Sequence, residues 1–576
     1  MSRTDNAEAQ IEARRGEDLG VSVNGFLEKN ASLGGGAFEG ADRASRELAS
    51  WAPRITSADQ AISKDKTLLD GRAIDLLRNN GPTIGASNTQ KDSIVGAQYR
   101  LNASPAFKYL GLDEGWADEF QQEVEESFTL YAESDSKWVD VERRSTLTDL
   151  IRLNIGCVFS GGEAVATMNW MGGRRPFRSA MQVIDANRVC NPRDEVDSKY
   201  LRRGVKYNRD GSIEGLWVRR ALANDSTRLT EGYEWDFWPI RKKWGRLQML
   251  YIAETARPEQ SRGVADIVAA LKETRMGKRF HEVSLANAIV QASFAAAIES
   301  ELPPEMAFEM IGGTGGDART NASMSFLQAI AEYSRGGKNL DIDGAKIPYL
   351  FPGTKLKLTP AGTAPAGLGE NLEESLNRYI AVTLGLSYEE YTHDYSKTNY
   401  SSLRAATNKT AKSVKSKKRA IADGTANAFY QCWLEEAILE GHLETVKGLN
   451  RKNPDWFFER MNKEAVSRAS WIGATRGQVD EKKETEAAIM RIAAGLSTYE
   501  IECAQLGHDF RDIYSQRARE QKMLEARGLT FDLKTSKIGA QPETPEATNG
   551  AGNGAANPNG GTAPQASGAF NDGFDD

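Results

Sequence analysis

The chain has 576 residues, 40% hydrophobic and 27% charged, a folding composition too long for one ordinary core, so it should divide into several structural units. Its formal net charge of −7 is the wrong sign for a protein that grips DNA over its whole surface, and any contact with nucleic acid should be local or loose. Cys157, Cys190, Cys432 and Cys503 lie at least 33 residues apart with no CxxC pair, which argues against a zinc knuckle or a disulfide framework; they read as buried thiols in a reducing compartment.

The N-terminus, MSRTDNAEAQIEARRGEDLG, lacks the apolar run of an export signal, and residues 1–50 read as a flexible arm. From Leu68 the pattern tightens. Leu68, Leu69, Ile74, Leu76 and Leu77 take helical spacing, stopped by Asn79-Asn80-Gly81-Pro82, and SIVGAQYRLNA then reads as a strand. Glu114 to Ala132 and Leu147 to Phe159 read as helices. Between about 163 and 253, short alternating runs (EAVATMNWM, AMQVID, GVKYN, IEGLWVRR, LQMLYIA) are punctuated by GG, NP and NRDG, the pattern of antiparallel β structure. Trp217, Trp235, Trp238 and Trp244 fall in this section; their rings are expected in its core rather than stacked on bases.

Residues 262–298 contain no proline and hold helical spacing through Ile267, Leu271, Ala286, Ile289 and Phe294. An unbroken helix of that length would reach roughly 55 Å, longer than a small domain is wide. The most apolar part, Val283 to Ile298, carries Asn287 and Gln291 and is shorter than the roughly 20 residues a membrane span needs. Pro303-Pro304 ends the run. A mixed segment follows to about Pro360, with a helix around Ser325 to Tyr333 and short strands in AKIPYLFPGTKLKLT; NLEESLNRYIAVTLG then forms a second helix with Asn371 as its N-cap. Further on, TANAFYQCWLEEAILEG continues as helix, NPDWFFERMNK starts a new element, and 479–527 is almost wholly helical, joined at GLST and LGHD. From about 538 the composition turns to Gly, Asn, Ala and Pro, too poor in apolar residues to order itself. Its acidic end, NDGFDD, is either a solvated tail or a partner segment anchored by Phe570 and Phe574.

The sequence offers little for catalysis. It has no GxxxxGK[ST] phosphate cradle, and GGK at 336–338 and MGK at 276–278 lack the spacing. His281, His393, His442 and His508 stand singly, without a partner at i+4. DIDG at 341–344 begins like a calcium loop but lacks the closing glutamate and reads as a turn. No cofactor and no metal are expected.

One stretch breaks the acidic balance. From Tyr395 to Ala422 there is no carboxylate, while Arg404, Lys409, Lys412, Lys415, Lys417, Lys418 and Arg419 accumulate. On one helix over 403–421, Arg404, Lys412, Lys415, Lys418 and Arg419 fall within about one third of the circumference, with Leu403, Val414 and Ile421 elsewhere. Such a stripe is either a solvated helix face or a surface awaiting an anionic partner. Before it, SYEEYTHDYSKTNYSS is polar and rich in tyrosine and hydroxyls, and reads as an extended loop held between two helices.

GLSYEEYTHDYSKTNYSSLR resembles the most characteristic segment of lambda-type portal proteins of tailed bacteriophages. GRAIDLLRNNGPTIGA, MQVIDANRVCNP, ARPEQSRGVADI, FPGTKLKL and WIGATRGQVDEKKETEAA resemble that family in the same order, from about residue 68 to 528. Glu259 stands where the family commonly has glycine and Glu481 where it commonly has proline, which leaves only local turn geometry open.

The resemblance implies an α+β portal fold assembled as a ring: a mixed α/β wing, a long-helix stem, a small α/β clip, a tunnel loop and a helical crown. On this sequence that gives an arm at 1–50, wing at 51–261, stem helix at 262–298, clip at 299–358, second stem helix at 359–385, tunnel loop at 386–402, basic tunnel or crown-side helix at 403–440, wing return at 441–478, crown at 479–530 and disordered acidic tail at 531–576. It implies no enzyme activity. The implied role is a channel for double-stranded DNA at one capsid vertex, in the virion and, during assembly, the host cytoplasm. Implied partners are eleven further copies, double-stranded DNA, the large terminase subunit, the major capsid protein and scaffold, and a head-completion or adaptor protein; no membrane is implied. Tyr391, Tyr395, Lys397, Asn399 and Tyr400 would face the bore. The stripe Arg404, Lys412, Lys415, Lys418 and Arg419 would meet DNA or, in the rival reading, carboxylates of the neighbouring copy such as Glu373 or Glu374. The alternative to the ring is a non-ring minor head or DNA-binding structural protein.

Overall fold

The computed structural model describes residues 50–294, 368–475 and 481–528, with 41, 46–48, 340–342 and 345–347. Two compact units result. The larger spans the chain to Val479 and takes back Tyr499–Phe510; the smaller comprises Asp480–Thr498 and the chain from Arg511 onward.

The larger unit is built on helices and antiparallel sheets. Helix α1, Lys66–Asn79, ends where Asn80 turns extended, and the same residue caps α2, Gly81–Ile94, by accepting from the Thr83 N–H with Pro82 in the first turn. The asparagine that stops one helix thus starts the next, and SIVGAQYRLNA is strand only over β1, Arg100–Ala103. Asn80 satisfies donors that a helix start leaves bare, which outweighs the strand pattern of the residues before Gly96. Helices α3, Glu114–Ala132, and α4, Leu147–Gly161, stand where their spacing put them, α4 with a Thr146/Asp149 capping box.

Seven strands follow between Glu163 and Ala253. β2 (Glu163–Trp170) sits between β3 (Ser179–Ile184) and β8 (Met249–Ala253), all antiparallel. β4 (Leu201–Arg202), β5 (Val205–Tyr207), β6 (Ile213–Arg219) and β7 (Trp235–Pro239) form a second antiparallel sheet in that order. The tryptophans only partly follow expectation: Trp217, Trp235 and Trp238 are half-buried, and Trp244, at a turn tip, is 58% exposed. The large apolar core is aromatic: Phe128 of α3 packs on Phe429, Tyr430, Trp433 and Trp471, with ring centroids 5.1–6.3 Å apart.

Helix α5, Leu271–Phe294, is the described part of the expected rod. It begins nine residues later than 262, behind a 3-10 turn at Asp266–Ala270, and at 1.5 Å per residue spans about 36 Å. The reason is upstream: Arg262 is fully enclosed and cannot join a helix. Its Nε and Nη2 donate to Glu163 at 2.8 and 2.7 Å, and its remaining donors reach the carbonyls of Ala186, Val189 and Arg203. The Gly263 N–H and Tyr251 hydroxyl also donate to Glu163. Burial would raise the Glu163 carboxyl, but Arg262, with help from Lys66, holds it below the usual carboxylate range. The chain crosses itself closely here: a Cβ on Gly162, whose φ is +72°, would lie 2.3 Å from the Val264 backbone.

A hairpin of β9, Leu340–Ile342, and β10, Ala345–Ile347, is described within the expected clip; the helix expected at Ser325 to Tyr333 lies outside the described residues. Helix α6 runs Leu368–Leu384, so Asn371 lies inside it rather than capping it. The short helix α7, Tyr388–Thr392, and the rod of α8 (Tyr400–Lys417), a π-helical turn (Lys418–Ala422) and α9 (Asp423–Leu439) come next. β11, Ala469–Ile472, then returns to pair with β1, and α11, Tyr499–Gln505, closes this unit. The smaller unit carries α10, Glu481–Ala493, and nearly all of α12, Phe510–Ala526, neither with a buried residue. Of the expected arm and tail, residues 1–40, 42–45 and 49 and those from 529 on lie outside the described residues.

All four cysteines are unpaired; Cys432 is buried and the others half-buried. Among the described residues no helix is long and apolar enough to cross a membrane, and no group of His, Cys, Asp and Glu is placed to hold a metal ion.

Replacing Arg262 by Met should strand a buried carboxylate and cost about 3–5 kcal/mol in a urea titration, whereas Arg262→Met combined with Glu163→Met should recover much of that loss. Equal destabilisation by the single and double variants would show that the charge pairing is not what holds this junction.

Candidate functional site

The polar finger after α6 is rooted in a second apolar cluster. Phe159, Ala265, Ile267, Ala270, Ile380, Leu384, Leu386 and Tyr391 are buried in it, with Ala73 and Ala86 from α1 and α2. Gly385 makes the turn out of α6: its φ is +72°, the Leu386 N–H reaches back to the Ala381 carbonyl, and a Cβ there would lie 2.7 Å from the Ser413 hydroxyl on α8. Gln90 of α2 donates to the Leu384 carbonyl at 2.9 Å, closing the end of α6 against α2.

The finger is not wholly extended. Ser387 and Glu390 form a capping box and start α7, which ends at His393 in the left-handed region. Only 393–399 is non-helical between α7 and α8. This places Tyr391 in the core: it is 4% exposed, and burial pushes its phenol up to about 12. In this conformation it is an anchor and offers nothing to a bore. Tyr395, by contrast, is 49% exposed, and its phenol is raised by partial burial and by Glu390 and Glu389. Lys397 is exposed, with Glu374 of α6 at 3.8 Å. Asn399 caps α8, accepting from the Ser402 N–H at 2.9 Å, and the backbone of Tyr400 is the first residue of that helix. The capping-box pattern Ser387-x-x-Glu390 was the available signal for α7, masked by the polar, tyrosine-rich composition around it.

The finger lies beside a cleft of about 690 Å³ lined by Pro82, Gly85, Glu373, Tyr388, His393 and Lys397 among others. Glu374 already takes Arg378 at 2.7 Å in its own chain.

The stripe splits in two. Arg404, Lys412, Lys415 and Arg419 are exposed, as is Lys409, and among the described residues none of them has a carboxylate partner. Lys418 leaves the stripe. It sits in the π-helical turn, donates to Asp423 at 3.1 Å and to the Trp471 carbonyl at 2.9 Å, and lies 5.2 Å from the centre of the Tyr99 ring. Lys418 opens that turn, and its side chain runs to β11 rather than outward. Asp423 also accepts from the Tyr99 hydroxyl. Lys417 is likewise used internally, donating to Asp266 at the base of α5 at 2.8 Å.

Residues 44–417 match the family model described as phage portal protein, lambda family. The portal protein of Escherichia phage N15 and portal protein B of Escherichia phage lambda are each 33% identical over 497 residues, 86% of this chain and 90% of theirs. The chain belongs to the lambda family of phage portal proteins. Among solved structures, chains of a native gene transfer agent virion and of its neck align over 79% and 80% of this chain and 94% and 97% of theirs, at 13% and 12% identity and a TM-score of 0.33; a likeness that loose carries no argument about shape or assembly.

The different burial of the two finger tyrosines gives a direct check. Tyr391→Ala should cost about 3 kcal/mol in a urea titration, and Tyr395→Ala should change stability by less than about 0.5 kcal/mol. Equal costs would refute the anchor-and-tip description.

Proposed function

We propose that this chain forms a ring of twelve at one capsid vertex, through which double-stranded DNA enters during packaging and leaves at ejection. The ring is the docking point for the large terminase subunit on one side and a head-completion or adaptor protein on the other, and it is built into the shell with the major capsid protein and scaffold. The role is mechanical. A separate motor supplies the work, and no group of this chain is assigned a bond-making step.

What supports this reading, beyond family membership, is the contrast between a net-acidic chain and a free cationic row on α8. Twelve copies of −7 carry a formal −84, so most of the ring should repel phosphate and let a duplex slide, whereas a uniformly basic bore would brake it. Against that background Arg404, Lys412, Lys415 and Arg419 stand exposed and without a carboxylate partner among the described residues, beside a finger tip that presents Tyr395, Lys397 and the Asn399–Tyr400 turn. In this reading the tip lines the bore and the free part of the stripe meets packaged DNA. The rival, pairing of Lys412 and Lys415 with a neighbouring copy, is weakened at Glu374, which is engaged by Arg378 and Lys397 of its own chain. It keeps Glu373, which is exposed.

Electron microscopy of the purified protein should show annular particles formed without DNA; a compact monomer at high concentration would favour a non-ring head protein. The pair Lys412→Glu and Lys415→Glu then separates the two readings of the stripe. Intact rings with packaging reduced by at least about tenfold fit a DNA contact, while failure to form rings fits inter-copy ion pairs.

A further inference from the structure

A second cationic surface lies on the sheet body, in residues that neither the finger nor α8 uses. Three turns come to one end of the sheet β3-β2-β8. The β2–β3 turn, 171–178, leaves β2 at Trp170 and enters β3 at Ser179. The turn before β8, 241–246, arrives at the same end, because Thr167 pairs with Met249 and the Met168 N–H donates to the Gln248 carbonyl at 2.8 Å. The turn 137–144 joins through β3, where Val139 and Val141 exchange backbone hydrogen bonds with Met181.

These turns supply Arg143, then Arg174, Arg175 and Arg178, then Arg241, Lys242 and Lys243, and among the described residues none of the seven has an ion-pair partner. The acids within the turns do not neutralise them. Asp140 is spent on the backbone N–H groups of Glu142, Arg144 and Ser145, and Glu142 lies 3.8 Å from Arg144. The adjacent four-stranded sheet is organised differently: Lys206 pairs with Glu214, Arg219 with Asp194, Arg220 with Glu234 and Asp236, and Arg228 with Glu231. Most cations on that sheet's strands are matched by carboxylates, whereas those on the three turns are not.

Two of the aromatic rings among these cations are taken, whereas Trp244, in the turn 241–246, is 58% exposed. Arg143 and Arg175 lie 3.6 and 5.4 Å from the centre of the Trp138 ring, and Arg178 and Arg246 lie 5.7 and 4.9 Å from that of Trp170. Stacking orients the exposed Arg143 and Arg178 guanidinium planes, whereas Arg175 also donates to the Trp138 carbonyl and Arg246 to the Ser179 hydroxyl and the Cys432 carbonyl; the two stacked rings are not platforms for successive bases. We propose that these three turns form a sequence-independent binding surface for the phosphate backbone of double-stranded nucleic acid. Seven dispersed cations on three turns match an extended, regularly charged duplex rather than a single carboxylate. The proposal takes nothing from the ring or the bore.

The test is fluorescence anisotropy of the purified full-length protein with a duplex of about 30 base pairs, over a series of salt concentrations. Arg174→Ala, Lys242→Ala and Lys243→Ala together remove exposed charges that touch neither tryptophan. Binding should weaken at least about tenfold near ~50 mM salt, and the slope of log affinity against log salt should fall by about 2–3, roughly one for each phosphate no longer neutralised. Particle size and unfolding midpoint should be unchanged, and Lys412→Ala with Lys415→Ala should leave this component in place. Unaltered affinity and slope in the triple variant would overturn the proposal. So would tighter binding to a single strand of equal charge, or displacement of the duplex by polyglutamate more readily than by unlabelled duplex, which would mark an acidic polypeptide as the partner. Failure of ring formation would count against the assembly reading alone, since the binding is measured on whatever species the protein forms.

Discussion

Glu163 opens the central strand of one sheet and Arg262 closes the loop that leads to α5, and their mutual burial ties these two parts of the chain together. Two charges inside a protein are tolerable only when geometry and further hydrogen bonds offset the removal of water. Here the carboxylate is met by a bidentate guanidinium, a backbone N–H and a phenol, and the guanidinium spends its other donors on three carbonyls. Lys66 stands by with Asp70 at 2.9 Å and donates to the Gly161 carbonyl. Such a network has one satisfactory arrangement, so it sets where the sheet stops, where the long helix can begin and how α1 lies across both.

The finger follows from that junction. Ala265, Ile267 and Ala270, immediately after the buried arginine, make part of the apolar cluster that receives α6 and Tyr391. Because Tyr391 is sunk in that cluster and Gly385 sits hard against α8, the base of the finger is fixed. Its tip, 393–399, is short, polar and largely exposed. In the proposed ring, a rigid root with a hydrophilic end would suit a part that reaches toward a moving polyanion without adhering to it.

Charge is distributed on the same logic. Cations that hold elements together are matched: Lys417 to Asp266, Lys418 to Asp423, Lys463 to Glu435. Rows of unmatched cations stand on α8 and on the three turns at the sheet edge. Clustered free charge of this kind can meet a polyanion, and such contacts respond steeply to salt.

Much of this was legible in the sequence. Residue spacing located α3, α4 and the antiparallel strands, because each of those elements buries one face and writes its period into the residues; the helical end of the chain was legible too, although its helices bury no residue. The portal resemblance rested on ordered motifs that the family match then bore out. The charge run of 395–422 was equally plain. What spacing could not supply was the destination of individual side chains. A helical wheel puts Lys418 in the stripe, and Asp423 with the Trp471 carbonyl draws it out; polarity puts Tyr391 on a loop, and a capping box folds it into the core; periodicity starts the long helix at 262, and a glutamate 99 residues earlier holds that arginine back. Period and composition are local quantities that a sequence carries by itself, whereas pairing across the fold depends on which distant groups share a low-dielectric interior, and only the tertiary structure decides that.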